Sequence, residues 1–215
     1  MKLHITPTSP YGRIARIVVH ELGLADRVEI VTAKTRTPGS PYYAVLPSGR
    51  VPYLERDDGS LPGRDLPGRE DSALICRYLD QFAQSHQPSR PRLHLPPETD
   101  NWDYGRLEAT ARSMLDGLAV HVRETRRPPN EQSPPILAHE VDRARRLAEQ
   151  WEGRDGGGLI APRLLQGEAN MALIVLYVAL ETSWARGVHD WRPHCPALVA
   201  WSARQAARPS IAATA

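Results

Sequence analysis

Apolar positions change period repeatedly along the first 85 residues. Leu3 and Ile5 alternate with polar neighbours over residues 2–6, the two-residue period of a short strand. From Ile14 the spacing becomes helical, through Ile17, Val18 and Leu22. Ser9 suits the N-cap of that helix, Pro10 its first position and Gly23 its stop. Alternation returns over residues 28–33, which are rich in β-branched side chains, so a second strand follows. Strand, helix and strand in this order predict a right-handed parallel βαβ unit. Residues 34–50 carry Pro38, Gly39, Pro41, Pro47 and Gly49 and read as a long loop with a helical turn near Tyr42. Residues 51–55 read as a third strand. Asp57-Asp58-Gly59 signals a turn into an antiparallel partner beginning near Ser60. Leu61-Pro62-Gly63-Arg64 recurs as Leu66-Pro67-Gly68-Arg69, a short duplication that reads as exposed loop. A helix over 70–84 closes this half, with Leu74, Ile75, Tyr78, Leu79 and Phe82 as its buried stripe.

Residues 85–97 turn to Ser, His, Pro and Arg and read as a linker. Beyond it the period is helical throughout. Leu107, Ala111, Leu115 and Leu118 share one face of a long helix that ends before Pro128. A second helix spans 136–152, and Gly156-Gly157-Gly158 marks a turn. Residues 169–180 are apolar all round, the mark of a central buried helix, and 196–206 form a last one before an irregular tail. The pattern predicts a thioredoxin-like α/β N-terminal domain (βαβ-ββα) over 1–84, a linker over 85–97 and an all-α helical domain over 98–215.

Composition narrows the classes. Of 215 residues, 41% are hydrophobic and 24% charged, as in ordinary globular proteins. The net charge of +2 is too small to suggest nucleic acid as a partner. No apolar run approaches the ~20 residues that cross a bilayer. Residues 1–6 are too short and polar for a signal peptide, which points to a cytoplasmic protein. Cys76 and Cys195 have no metal spacing and are expected as reduced thiols. The eight histidines are scattered, so no metal site is expected.

Chemistry concentrates in residues 46–54, Leu-Pro-Ser-Gly-Arg-Val-Pro-Tyr-Leu. A proline is acceptable at a strand start, and there it leaves the Val51 main chain free to pair outside the sheet. Leu46-Pro47-Ser48-Gly49-Arg50-Val51-Pro52-Tyr53-Leu54 is similar to the Asn-Pro-x-Gly-Lys-Val-Pro-x-Leu pattern of the glutathione transferase family. Asp71-Ser72 followed by small and apolar residues and Tyr78-Leu79 resembles that family's acidic-Ser helix start. Thr8-Ser9-Pro10-Tyr11-Gly12-Arg13 resembles the N-terminal motif of bacterial members, and Arg208-Pro209-Ser210 their tail. The chain departs from the pattern at Leu46, where Asn is frequent, and at the 61–69 insertion. It departs again at Gly167-Glu168-Ala169-Asn170, where a Ser/Thr-x-x-Asp cap is common, so that helix start is expected to be less well pinned. No tyrosine lies on the first strand, which speaks against a tyrosine-type mechanism.

The resemblance implies a glutathione S-transferase of the detoxification type. Glutathione is its co-substrate, a small hydrophobic electrophile its second substrate, and a homodimer its assembly, with no metal and no membrane or nucleic-acid partner. It implies a cis Pro52, with Val51 pairing its main chain to the cysteinyl part of glutathione. Asp71 and Ser72 would take the γ-glutamyl end, where a helix N-terminus attracts a carboxylate, with Glu70 as a rival that adjacency to Ser72 sets behind Asp71. Ser9 would donate to the thiolate, with Thr8 and Tyr11 as rivals, and the dipole of the first helix would assist. Arg50 would meet the glycyl carboxylate, with Lys34 and Arg36 as alternatives. Tyr11, Tyr104, Leu107 and Ala111 would line an electrophile pocket. A specialised glutathione-dependent isomerase, dehalogenase, lyase or peroxidase, and a non-catalytic binding protein of the same fold, are the alternatives.

Overall fold

The computed structural model describes residues 1–55, 68–90, 92–94, 102–153, 158–159, 165 and 167–215. The expected turn at 57–59 and the first copy of the repeat, 61–64, lie outside the described residues, as do Gly156 and Gly157. The chain divides into two compact units, residues 1–94 with 209–215, and residues 95–208.

The first unit is built on a four-stranded sheet. Strands β1 (Lys2–Ile5), β2 (Glu29–Thr32), β3 (Tyr53–Glu55) and β4 (Gly68–Glu70) stand in the order β2-β1-β3-β4. β1 and β2 run parallel, joined through helix α1 (Pro10–Glu21) as a crossover; β3 runs antiparallel to β1, and β4 to β3. Ile14, Ile17 and Val18 of α1 are fully buried, as the spacing requires. A short helix α2 (Tyr42–Val45) lies in the long loop, and α3 (Ser72–His86) follows β4. This is the thioredoxin-like arrangement.

Two elements differ from expectation. The second copy of the repeat ends in a strand, because Gly68, Arg69 and Glu70 complete the ladder with Glu55, Leu54 and Tyr53. A Cβ at position 68 would stand 2.5 Å from the Leu54 carbonyl and 2.4 Å from the Tyr53 ring, so only glycine fits. Helix α3 therefore begins two residues later than residue 70. Its buried stripe is also rotated, running through Ile75, Cys76, Leu79, Asp80 and Ala83. Leu74 is exposed, while Tyr78 and Phe82 are half-buried under the guanidinium groups of Arg69 and Arg27.

Beyond α3 the chain is anchored by Asp80. Its carboxylate accepts the Leu93 N–H at 3.1 Å, the His94 N–H at 2.8 Å and the His94 ring Nδ1 at 3.0 Å. The tail, expected to be irregular, forms helix α8 (Pro209–Ala212) of this same unit. Ile211 and Thr214 are buried, Ser210 donates to Glu21 at 2.6 Å, and Arg16 donates to the Thr214 carbonyl at 3.3 Å.

The second unit is helical: α4 (Trp102–Glu124), a 3-10 turn (Pro129–Glu131), α5 (Pro134–Glu152), α6 (Met171–Ala185) and α7 (Pro196–Ala206). Every residue of α6 from Met171 to Leu180 is buried. At about 1.5–3 kcal/mol per large apolar side chain, α6 contributes more than any other described helix of the unit. Its start is well pinned, contrary to expectation, because the cap is Asn170 and not Gly167. Asn170 Oδ1 accepts the Leu173 N–H at 2.9 Å, and the Tyr104 hydroxyl accepts the Met171 N–H at 2.8 Å. Two buried tryptophans are anchored as well, Trp191 to the Leu180 carbonyl and Trp201 to that of Leu165. No helix among the described residues is long and apolar enough to cross a membrane.

Candidate functional site

Sheet register brings the three expected site segments to one end of the first unit. His4 faces Tyr53, and Tyr53 faces Glu70. The exit of β1 toward Ser9, the entry to β3 through Val51-Pro52, and the exit of β4 toward Asp71-Ser72 therefore share one edge. Ile5 pairs with Thr32, so the long loop that carries Lys34 and Arg36 departs from this end as well.

Ser9 is the N-cap of α1. Its extended backbone (φ −80°, ψ 116°) turns the side chain back to accept the Gly12 N–H at 3.1 Å. A hydroxyl has two lone pairs and one proton, so capping leaves the proton for another acceptor. Thr8 is exposed, and Tyr11 is half-buried on the first turn of α1.

The Val51–Pro52 peptide bond is cis. Among the described residues, no hydrogen bond engages the Val51 N–H or carbonyl. The Val51 side chain packs on a cluster of Ala33, Tyr42, Leu46 and Tyr53. Leu46, the departure from the family pattern, is thus a packing residue whose apolar side chain fills this cluster. Gly49 has φ 64°, and a Cβ there would stand 2.4 Å from the Tyr43 ring, which explains the glycine in this turn.

Arg50 is held by its main chain more than by its side chain. Its carbonyl accepts the Tyr42 hydroxyl at 2.6 Å, and its N–H donates to Ser48 Oγ at 3.3 Å. Ser48 in turn donates to Glu70 at 2.9 Å. The Arg50 guanidinium is 71% exposed and only 3.9 Å from Glu70, a solvated pair that holds it weakly. Lys34 and Arg36 are exposed. Glu70 and Tyr42 carry no sequence motif; only the ladder and the loop path reveal that they brace this segment. Burial, then the nearby Glu70 carboxylate, then Tyr53, push the Tyr42 phenol well above its ordinary range, so it stays a donor at any working pH.

Asp71 caps α3. Its backbone has φ 82° and ψ 129°, unusual for a residue other than glycine, and this turns the chain from strand to helix in one step. Oδ1 accepts the Ala73 N–H at 2.7 Å and the Leu74 N–H at 3.3 Å, and the residue is exposed. Ser72, beside it at the helix start, is 4% exposed.

The expected pocket residues of α4 sit inside the second unit. Leu107 and Ala111 are 2% and 0% exposed, and the Tyr104 hydroxyl is engaged at the start of α6. Their present contribution is packing. No cluster of three or more His, Cys, Asp or Glu side chains suited to a metal occurs among the described residues. Cys76 and Cys195 are buried free thiols, and burial followed by the nearby Glu152 and Glu149 pushes Cys195 up to about 11.

Comparison with known proteins matches residues 8–81 to the glutathione S-transferase N-terminal domain. The uncharacterized GST-like protein YibF of Escherichia coli K12 is 26% identical over 205 residues, covering 93% of this chain and 92% of that protein. A glutathione transferase family member from Pseudomonas fluorescens Pf-5, solved with bound glutathione, is 27% identical with a TM-score of 0.82, covering 99% of this chain and 97% of that one. A glutathione S-transferase from Methylobacillus flagellatus, solved with glutathione bound, is 26% identical with a TM-score of 0.81, covering 100% and 98%. Residues 8–81 thus form a glutathione S-transferase N-terminal domain, and over its whole length the chain is similar to proteins of the glutathione S-transferase family.

Proposed function

We infer that this protein is a glutathione transferase that binds glutathione at the end of its sheet and activates the thiol for attack on a small hydrophobic electrophile. The observation that carries the reading is the Val51 main chain, unpaired among the described residues and adjacent to the cis Pro52. An extended peptide can add there as a short strand, with backbone hydrogen bonds supplying affinity. The cysteinyl unit of glutathione is such a peptide.

In this reading the γ-glutamyl carboxylate meets the start of α3 at Ser72, and the Asp71 carboxylate attracts the α-ammonium. The Ser9 O–H donates a hydrogen bond to the sulfur, the N-terminus of α1 favours the thiolate over the thiol, and the thiol proton leaves to solvent. Arg50, exposed on the loop, swings from its weak contact with Glu70 to the glycyl carboxylate. Tyr11, on the first turn of α1, faces the electrophile. The thiolate attacks the electrophilic carbon, the carbon–sulfur bond forms, and the leaving group departs with its electron pair. A cytoplasmic homodimer serving detoxification is the setting the family suggests.

Thermal unfolding with millimolar glutathione, followed by turnover of an activated aryl halide, tests the proposal. A ligand that binds only the folded state raises its stability as concentration exceeds Kd, so the transition shifts upward. An unmoved transition at millimolar glutathione overturns the reading. A shift without turnover of any electrophile reduces the protein to a glutathione-binding member of the family.

A further inference from the structure

The long loop before β3 is pinned at one residue from two sides. The Arg50 carbonyl accepts the Tyr42 hydroxyl, and the Arg50 N–H reaches Ser48 Oγ, itself tied to Glu70 at the end of β4. A trans peptide is planar, with its carbonyl and N–H pointing in opposite directions. The Arg50–Val51 bond is trans, since the cis bond is Val51–Pro52. Fixing the Arg50 carbonyl therefore fixes the direction of the Val51 N–H, and aims it away from Tyr42.

We propose that Tyr42 is a positioning residue for ligand binding: by holding the Arg50 carbonyl, its hydroxyl presets the Val51 N–H in the orientation that pairs with the peptide backbone of glutathione. Ser48, braced by Glu70, is the second anchor. The inference rests on the glutathione reading above and deepens it, because it assigns the preorganisation of the subsite to residues that do not touch the ligand. Tyr42 is suited to this task. Its ring is 6% exposed, packs with Leu46 and Tyr53, and lies 5.6 Å from the His4 ring, so the hydroxyl has little freedom to wander. Its remaining protonated at any working pH keeps the bond intact wherever the thiolate forms. A preset backbone saves the ligand the entropy of ordering the loop.

The test is Tyr42→Phe, which keeps the ring and its packing and removes only the hydroxyl, measured with glutathione itself. The KM and calorimetric Kd for glutathione should rise about three- to tenfold, the range for losing one neutral hydrogen bond. The kcat at saturating glutathione and the KM for the aryl halide should stay unchanged. Ser48→Ala, in an exposed turn, should move glutathione KM in the same direction and keeps the question open to test if Tyr42→Phe folds poorly. Tyr43→Phe is the comparator: its hydroxyl accepts the Thr37 N–H and not a group of Arg50, so its removal should leave KM unchanged. An equal rise in Tyr43→Phe, or a fall in kcat with KM constant, would indicate general loosening and overturn the proposal. Unchanged affinity in both Tyr42→Phe and Ser48→Ala overturns it while leaving the glutathione reading intact. Failure of the wild-type protein to bind glutathione overturns both.

Discussion

Ser9 and Gly12 are joined across the first turn of α1 by a hydrogen bond from the Gly12 N–H to the Ser9 hydroxyl oxygen at 3.1 Å. The proposed thiolate donor is thus already the cap of the helix whose dipole assists it. Ser9→Ala removes both roles. The rate with an aryl halide should fall about ten- to a hundredfold, the value of one hydrogen bond to a charged group, with glutathione affinity little changed. Stability should fall by about 1 kcal/mol for the lost cap. Ser9→Thr keeps a capping hydroxyl and should recover much of the rate. Ultraviolet thiolate absorbance of bound glutathione separates the two roles: its titration should move to higher pH in Ser9→Ala. An unmoved titration together with an unchanged rate would take Ser9 out of the chemistry and leave it as a cap.

At Asp71, charge and cap can be separated as well. Asn tolerates positive φ and offers the same side-chain oxygen to the Ala73 and Leu74 N–H groups, but it carries no charge. Asp71→Asn should keep the denaturation midpoint close to wild type and weaken glutathione binding about tenfold. Asp71→Ala should lose both, since the backbone is held at φ 82° where alanine is strained. Calorimetry that finds wild-type affinity in Asp71→Asn would reject the ammonium contact.

Sequence reasoning recovered what is written in local patterns. Helix α7 is bounded by Pro196 and an apolar stripe, and α1 by Ser9, Pro10 and Gly23, so both were legible residue by residue. The antiparallel partner of β3 was expected from the turn signal, but its position was not legible, because Gly68-Arg69-Glu70 has no apolar alternation; it is a strand because β3 offers it a ladder. The phase of α3 was ambiguous for a different reason. Leu74, Tyr78 and Phe82 make one helical stripe, and Ile75, Leu79 and Ala83 make another, and the core chose the second. Arg69 and Arg27 cover the aromatic rings left outside. Of the site, the motif residues were legible by resemblance, while Tyr42, Ser48 and Glu70 were not. Their contacts join the loop to itself and to a strand residue 22 positions away, and no periodicity encodes them.

Asp80 carries a larger share of stability than its place in the middle of α3 suggests. Burial alone raises its pKa, but the hydrogen bonds from the His94 ring and from the His94 and Leu93 N–H groups overcome this and hold it below the usual carboxylate range. A depressed folded pKa contributes stability that is fully present above the unfolded value, about 3.9, and is lost as pH falls through the folded value. In Asp80→Asn the amide turns a donor toward one of these N–H groups. The cost should be about 2–4 kcal/mol at neutral pH, seen as a lower urea midpoint, with part of the acid sensitivity below pH ~4 removed. A midpoint unchanged by the substitution would show that the 92–94 segment is held by other contacts.

His121 should set a second, milder pH dependence in the helical unit. It lies on α4, 8% exposed, with Nδ1 unpaired among the described residues. Facing it from α5 is the Glu140 carboxylate, which is paired to Arg143 at 3.3 Å and can approach α4 because Gly117 has no side chain. Burial lowers the His121 pKa, and the Glu140 charge offsets this only in part. The folded imidazole is therefore neutral at pH 7, and the unfolded chain takes up a proton more readily than the folded one. Stability is fully present above the unfolded value of about 6.5 and declines as pH falls toward the depressed folded value. The slope cannot exceed that of one proton, about 1.4 kcal/mol per pH unit. His121→Leu removes the titrating group and fills the same space with apolar atoms. Urea midpoints measured across this interval should therefore be flatter in the variant than in the wild type. Parallel curves would assign the acid response to other groups and leave His121 as a packing residue.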